Sequence, residues 1–108
     1  MRDDAPLGTF EEQVMLAIAR TGDDAFGMSV RREIEEVTGR DVAIGAVYAT
    51  LDRLEAKALV RSFRSAGGGR SRRLFEVTRA GAVALAESRA MRERLWRGID
   101  VRRLISDS

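Results

Sequence analysis

The chain contains no cysteine and no histidine. Those two absences together remove disulfide cross-links, the usual zinc ligand sets, thiol nucleophiles and imidazole acid–base chemistry. An enzyme or a metal sensor is therefore disfavoured, and no catalytic, cofactor or metal-binding residue is assigned. No apolar run approaches the roughly 20 residues that a membrane helix needs. The N-terminus opens on Arg2, Asp3 and Asp4 rather than on a secretory signal. A soluble, cytoplasmic protein without a membrane partner is the expectation.

A length of 108 residues accommodates one hydrophobic core and not two. A chain of this size buries only roughly 60–70% of the surface its unfolded form exposes, so a long apolar helix left outside the core calls for a second copy. The formal net charge of +2 hides an uneven distribution. Met1 to Glu36 carries nine acidic and four basic residues, whereas Arg53 to Arg79 carries eight basic and two acidic. Of the 19 basic side chains only Lys57 is a lysine. Arginine is the better bidentate partner for phosphate and for guanine edges, although arginine bias also follows from genomic base composition.

Thr9 with Glu12 three residues later reads as a capping box before apolar residues at Phe10, Val14, Ala17 and Ile18, which predicts a first helix over Phe10 to Arg20. Turn chemistry at Thr21 to Asp24 precedes Phe26, Val30, Ile34 and Val37 at helical spacing, with Gly39 as a stop, giving a second helix over Gly27 to Thr38. The stripe Ile44, Val47, Leu51 and Leu54 predicts a third helix over Ala43 to Lys57, leaving Gly45, Ala46, Tyr48, Ala49, Thr50 and Arg53 on or near its outer side. The period then changes. Leu59 to Ser65 and Arg72 to Val77 read as strands joined through Gly67 to Gly69 and Arg70. Thr78 stands at an N-cap, and Arg79 to Arg97 has the propensity of a strong helix with Ala84, Ser88, Met91, Leu95 and Ile99 on one side. Gly98 weakens or kinks that helix, and Asp100 restarts a final turn through Ile105.

Three helices, a basic hairpin and a last helix make a mainly α chain with a small β-hairpin wing, the order of a winged helix-turn-helix. In that fold a recognition helix enters the major groove while the wing grips phosphate or the minor groove. The residues also carry a family resemblance. Leu7-Gly8, Phe26-Gly27, the run VYATLDRLEAKALV from Val47 to Val60, Gly69 to Arg73, Phe75 and VTRAG from Val77 to Gly81 resemble the PadR family of bacterial transcriptional regulators. The likeness covers roughly residues 7 to 97, and its most specific part is Tyr48, Thr50, Leu51, Arg53, Leu54 and Glu55. Departures are Val47 for leucine, Ala49 for proline and Ala58 for the glycine that closes the recognition helix. Ala49 restores a backbone donor and suits a helix. Ala58 either accepts a left-handed backbone, at about 1 kcal/mol relative to glycine, or the turn is built differently.

The resemblance implies DNA contacts by Tyr48, Thr50 and Arg53, with Gly45, Ala46 and Ala49 beside them. The plain alternatives are that Tyr48 packs on the wing and that Arg53 pairs with Asp52 or Glu55. Arg70, Arg72 and Arg73 beside the glycines read as a cationic finger for phosphate, the alternative being a solvated charge run. Gly67 to Gly69 lacks the lysine and the strand-to-helix context of a nucleotide loop. The resemblance further makes the last helix a dimerisation element that packs on its symmetry mate and on the partner's first helix. That assigns Phe10, Val14, Met91, Leu95, Trp96 and Ile99 to a dimer surface with a candidate pocket for a small aromatic effector, Trp96 being otherwise interface filler.

The expected organisation is a winged unit over residues 1–78 and a dimerisation helix and tail over 79–108, forming one compact body. The expected function is a homodimeric, sequence-specific repressor on a palindromic site of double-stranded DNA, released by a small aromatic or hydrophobic effector. The alternative is a winged-helix protein-docking module that does not bind DNA.

Overall fold

The computed structural model describes residues 6–65 and 71–107. Helix α1 spans Thr9–Thr21, and a short 3-10 turn at Gly22–Asp24 leads to α2 at Gly27–Thr38. Helix α3 runs over Ile44–Ala56, followed by strands β1 (Val60–Arg64) and β2 (Arg73–Val77). Helices α4 (Arg79–Trp96) and α5 (Val101–Ser106) complete the chain.

The N-terminal cap of α1 lies one residue earlier than the sequence predicts. Gly8 is the cap, and its N–H donates to Glu11 Oε1 at 2.9 Å. The shift follows from what each carboxylate meets: Glu11 is also held by Lys57 Nζ at 3.0 Å, while Glu12 faces α4 and accepts from Ser88 and Arg92. At the start of α2, Ser29 Oγ accepts from Phe26 N at 2.9 Å and donates to Asp24 O at 2.7 Å, tying the entry turn shut. Gly39, with φ of 71°, ends α2 in the left-handed conformation that glycine adopts without strain.

Val14, Met15 and Ile18 of α1, Val30 and Ile34 of α2, and Val47, Leu51 and Leu54 of α3 close one core, to which the hairpin adds Val60 and Phe75. Val37, expected in the α2 core stripe, is instead exposed. It lies at the far end of the α1–α2 contact and borders an open apolar groove of about 430 Å³ with Leu16 and Ile34. The strands pair antiparallel from Val60 opposite Val77 to Arg64 opposite Arg73. Phe75 N donates to Ala25 O at 2.8 Å, so the extended residue before α2 stitches the helical unit to the edge of β2.

Two turns set the direction of everything after α3. Ala58 has φ of 61°, with Ala58 N donating to Glu55 O and Leu59 N to Leu54 O, both at 2.9 Å. This is the paired hydrogen-bond pattern of a left-handed helix stop. The turn is therefore not rebuilt around alanine, and the residue takes the strained conformation. Thr78 Oγ1 then donates to Ala58 O at 2.7 Å and accepts from Gly81 N at 3.0 Å, capping α4 while holding the stop in place. A Cβ on Gly81 would stand 2.1 Å from Leu59 O, so α4 lies directly on that backbone. Gly98, with φ of 82°, breaks the helix after Trp96, and Asp100 Oδ1 caps α5 through Arg102 N and Arg103 N, as the sequence predicts.

Candidate nucleic-acid interface

Packing Val47, Thr50, Leu51 and Leu54 inward leaves Gly45, Ala46, Ala49, Asp52, Arg53 and Ala56 of α3 exposed. Their spacing places Gly45, Ala49, Asp52 and Ala56 on one stripe, as an amphipathic helix requires. Side chains this small let the helix backbone approach a groove floor closely.

Tyr48 flanks that stripe, half-exposed and outside the buried core. A Cβ on Gly27 would fall 2.4 Å from its Cζ and Oη, so the ring lies across the first turn of α2. The Phe26-Gly27 pair thereby has a steric reason: only glycine leaves room for Tyr48.

Thr50 departs from expectation. It is 2% exposed, because it falls on the buried side of α3, and it offers no outward group. Its Oγ1 accepts from Arg53 Nη2 at 3.1 Å, which makes it a support for the exposed Arg53. Arg53 does not take Asp52 or Glu55 as its partner, since both of those carboxylates turn toward the wing; its charge is felt by Glu11. Burial pushes the Glu11 carboxyl up, but the Gly8 N–H, the Lys57 ammonium and the Arg53 charge outweigh it and hold the group below the ordinary glutamate range.

Arg73 is the wing residue that gathers the α3 carboxylates. Its Nη1 donates to Asp52 Oδ1 at 3.3 Å and its Nη2 to Glu55 Oε1, while its guanidinium carbon lies 4.8 Å from the centre of the Phe75 ring. Arg73, expected at the cationic tip, is therefore bound back to α3 by two acidic side chains one turn apart. The Arg72 guanidinium stacks 4.3 Å over Phe26 and stays exposed, and its backbone pairs with Ser65. Arg70 lies outside the described residues. Arg64, not singled out from the sequence, is exposed and sits directly opposite Arg73 in the ladder. Strand alternation from the apolar Val60 was the signal that could have placed it on the inner face with Ser62.

Of the residues expected on a dimer surface, Val14 is fully buried in the core and contributes no free surface, because it sits at the centre of the α1 apolar face. Phe10 is half-buried against the same core. Met91 is half-buried, whereas Leu95, Trp96 and Ile99 are exposed. Among the described residues α4 buries only Gly81 and Ser88, and every residue from 92 to 107 is exposed. No group of acidic side chains suited to hold a metal occurs among the described residues, and no helix there is long and apolar enough to cross a membrane.

Three helices with an antiparallel hairpin behind the third, joined through an extended residue between the first two, define a winged helix-turn-helix. The sequence profile of the Transcriptional regulator PadR-like family matches residues 15–87, and the chain belongs to that family. It is 43% identical over 61 residues to the Transcriptional regulator Rv3488 of Mycobacterium tuberculosis, a match spanning 56% of this chain and 57% of that relative. Its fold is similar to that of a PadR family transcriptional regulator from Eggerthella lenta, with a TM-score of 0.66 at 25% identity over 88% of this chain and 82% of the other. It is likewise similar to RosR of H. salinarum, with a TM-score of 0.68 at 24% identity over 97% and 91%.

Proposed function

We propose that the chain is a homodimeric repressor that sets two copies of α3 in successive major grooves of a palindromic site, with the wings on the flanking backbone. The family and the outward stripe of α3 support the DNA-reading half of this proposal. The observation that carries the dimer is the uncovered end of the molecule, where Leu95 is 71%, Trp96 58% and Ile105 69% exposed. Contiguous apolar exposure on that scale marks an interaction site in a soluble protein. The division at residues 78 and 79 follows: a winged unit that reads, and a helix that pairs. In the pair, Trp96 beside Leu95 and Met91 offers a flat apolar wall on which an aromatic effector would stack.

Affinity comes mainly from phosphate neutralisation, and discrimination from Arg53 reading a guanine edge with Tyr48 at the flank. The test is fluorescence-anisotropy binding to the DNA upstream of the chain's own gene, against random DNA of equal length, across a salt series. Sedimentation of the free protein accompanies it. Tight, steeply salt-dependent binding with a strong preference, by a dimer, is expected. Equally weak binding to both duplexes at low salt would reject it in favour of a protein-docking module, the reading that the open groove bordered by Leu16 and Val37 favours.

A further inference from the structure

A two-stranded hairpin is marginal in water and takes its direction from what its inner face touches. Here Val60 and Phe75 anchor the base of the wing in the core. Beyond them the inner face turns polar, and Glu55 takes over. Its carboxylate accepts from Ser62 N at 3.1 Å and Ser62 Oγ at 2.5 Å on β1, and from Arg73 on β2, so one side chain of α3 grips both strands. The Ser62 hydroxyl foremost, and then the Arg73 guanidinium, hold the Glu55 carboxyl below the ordinary glutamate range against the effect of burial. Arg73 in turn spans Glu55 and Asp52 and lies on Phe75. Two arginines, Arg64 and Arg73, face one another across the ladder, an unfavourable pairing unless one charge is taken up. The α3 carboxylates take up Arg73, and among the described residues Arg64 has no hydrogen bond or ion pair.

We propose that Glu55 and Arg73 are positioning residues for DNA recognition: they lock the wing to the flank of the recognition helix, while Arg64 is the inner-face arginine that meets phosphate. The inference deepens the DNA-reading proposal above and rests on it. The charge on Arg73, although in the most basic segment of the chain, is spent inside the protein. Removing Arg73 therefore changes where the wing points without changing how many phosphates are neutralised.

The test uses the full chain and a short duplex that the unaltered protein selects from a random pool, with a scrambled duplex beside it, over a salt series. Failure of the unaltered protein to prefer any duplex would reject the DNA reading itself, independently of the roles given to Glu55, Arg64 and Arg73. Given binding, Arg64→Gln is expected to lower the slope of log affinity against log salt by about one and to weaken both duplexes alike. Arg73→Gln and Glu55→Gln are each expected to weaken the selected duplex about tenfold with the slope unchanged, and the double variant to be no weaker than either, as coupled residues require. Arg73→Lys, which keeps a charge within reach of the carboxylates, recovers most of the loss and covers the case in which a glutamine variant fails to fold. A slope lowered by about one in Arg73→Gln, additive losses in the double variant, or tighter binding by Glu55→Gln would each overturn the proposal.

Discussion

Ala58 holds a backbone conformation that most residues avoid, and the network around it explains why it stays there. The Leu54 and Glu55 carbonyls and the Thr78 hydroxyl all close on the same turn. A left-handed alanine costs about 1 kcal/mol relative to glycine. Ala58→Gly is accordingly expected to stabilise the chain by about that amount, read as a rise in the urea midpoint without a change in slope. Glu11 makes a prediction of opposite kind. Its folded-state value is depressed, so its stabilisation is complete above the unfolded glutamate range and is lost as pH falls through the lower folded value. Glu11→Gln should destabilise by about 1–2 kcal/mol at neutral pH and flatten the acid limb of the stability profile. An acid limb identical to that of the unaltered chain would refute the assignment. Thr50→Val keeps the shape of a buried side chain and removes the acceptor for Arg53. It is expected to relax base preference while leaving the salt slope intact, as measured on matched and mismatched duplexes.

At the scale of elements, each joint rests on a small side chain that permits contact with backbone or ring. Gly27 admits the Tyr48 ring to α2, and Gly81 seats α4 on Leu59. The two differ in what would have to yield. At Gly27 a new methyl group meets the far end of a half-exposed tyrosine, which can swing aside. At Gly81 it meets a carbonyl oxygen in a hydrogen-bonded turn. Gly81→Ala is therefore expected to destabilise by about 2–3 kcal/mol through overpacking. Gly27→Ala should fold nearly as well and bind DNA more weakly, because Tyr48 leaves its place. Melting curves and anisotropy on the same preparations separate the two. Beyond Gly81, α4 is held by Leu85, which packs against the core, and then by Ser88, whose hydroxyl donates to Glu12 at 2.9 Å, with Arg92 on the same carboxylate.

For the whole molecule, the proposed dimer makes the strongest demand. An α4–α5 end exposed over its full length is consistent with a chain too small to bury all of its apolar helices alone. Leu95→Glu combined with Ile105→Glu is expected to give a monomer by sedimentation and to weaken operator binding at least tenfold, since the two half-sites are then bound independently. Trp96, the only tryptophan, reports the same event directly. Its emission should shift to the blue as protein concentration rises through the dimer constant, and stay red at all concentrations in the double variant.

Much of this architecture was legible in the residues because it depends on short-range rules. The α2 limits, the cap at Thr78, the break at Gly98 and the restart at Asp100 each follow from a local conformational preference acting within one turn of chain. The apolar periods likewise placed the core of α3, and the family match bears out the winged helix. Tertiary structure decided what local rules cannot see. Whether a carboxylate caps its own helix or serves another element depends on which neighbour arrives, so Glu11 took the capping role that spacing gave Glu12, and Glu12 went to α4. Val37 turned outward because the helix crossings, rather than the helical period alone, set where burial ends, whereas Thr50, three residues after Val47, turned inward with the period of α3 itself. Arg73 belongs to Asp52 and Glu55 because folding the hairpin onto α3 brings charges more than a dozen residues apart into contact, and Coulomb attraction acts on distance in space and not along the chain.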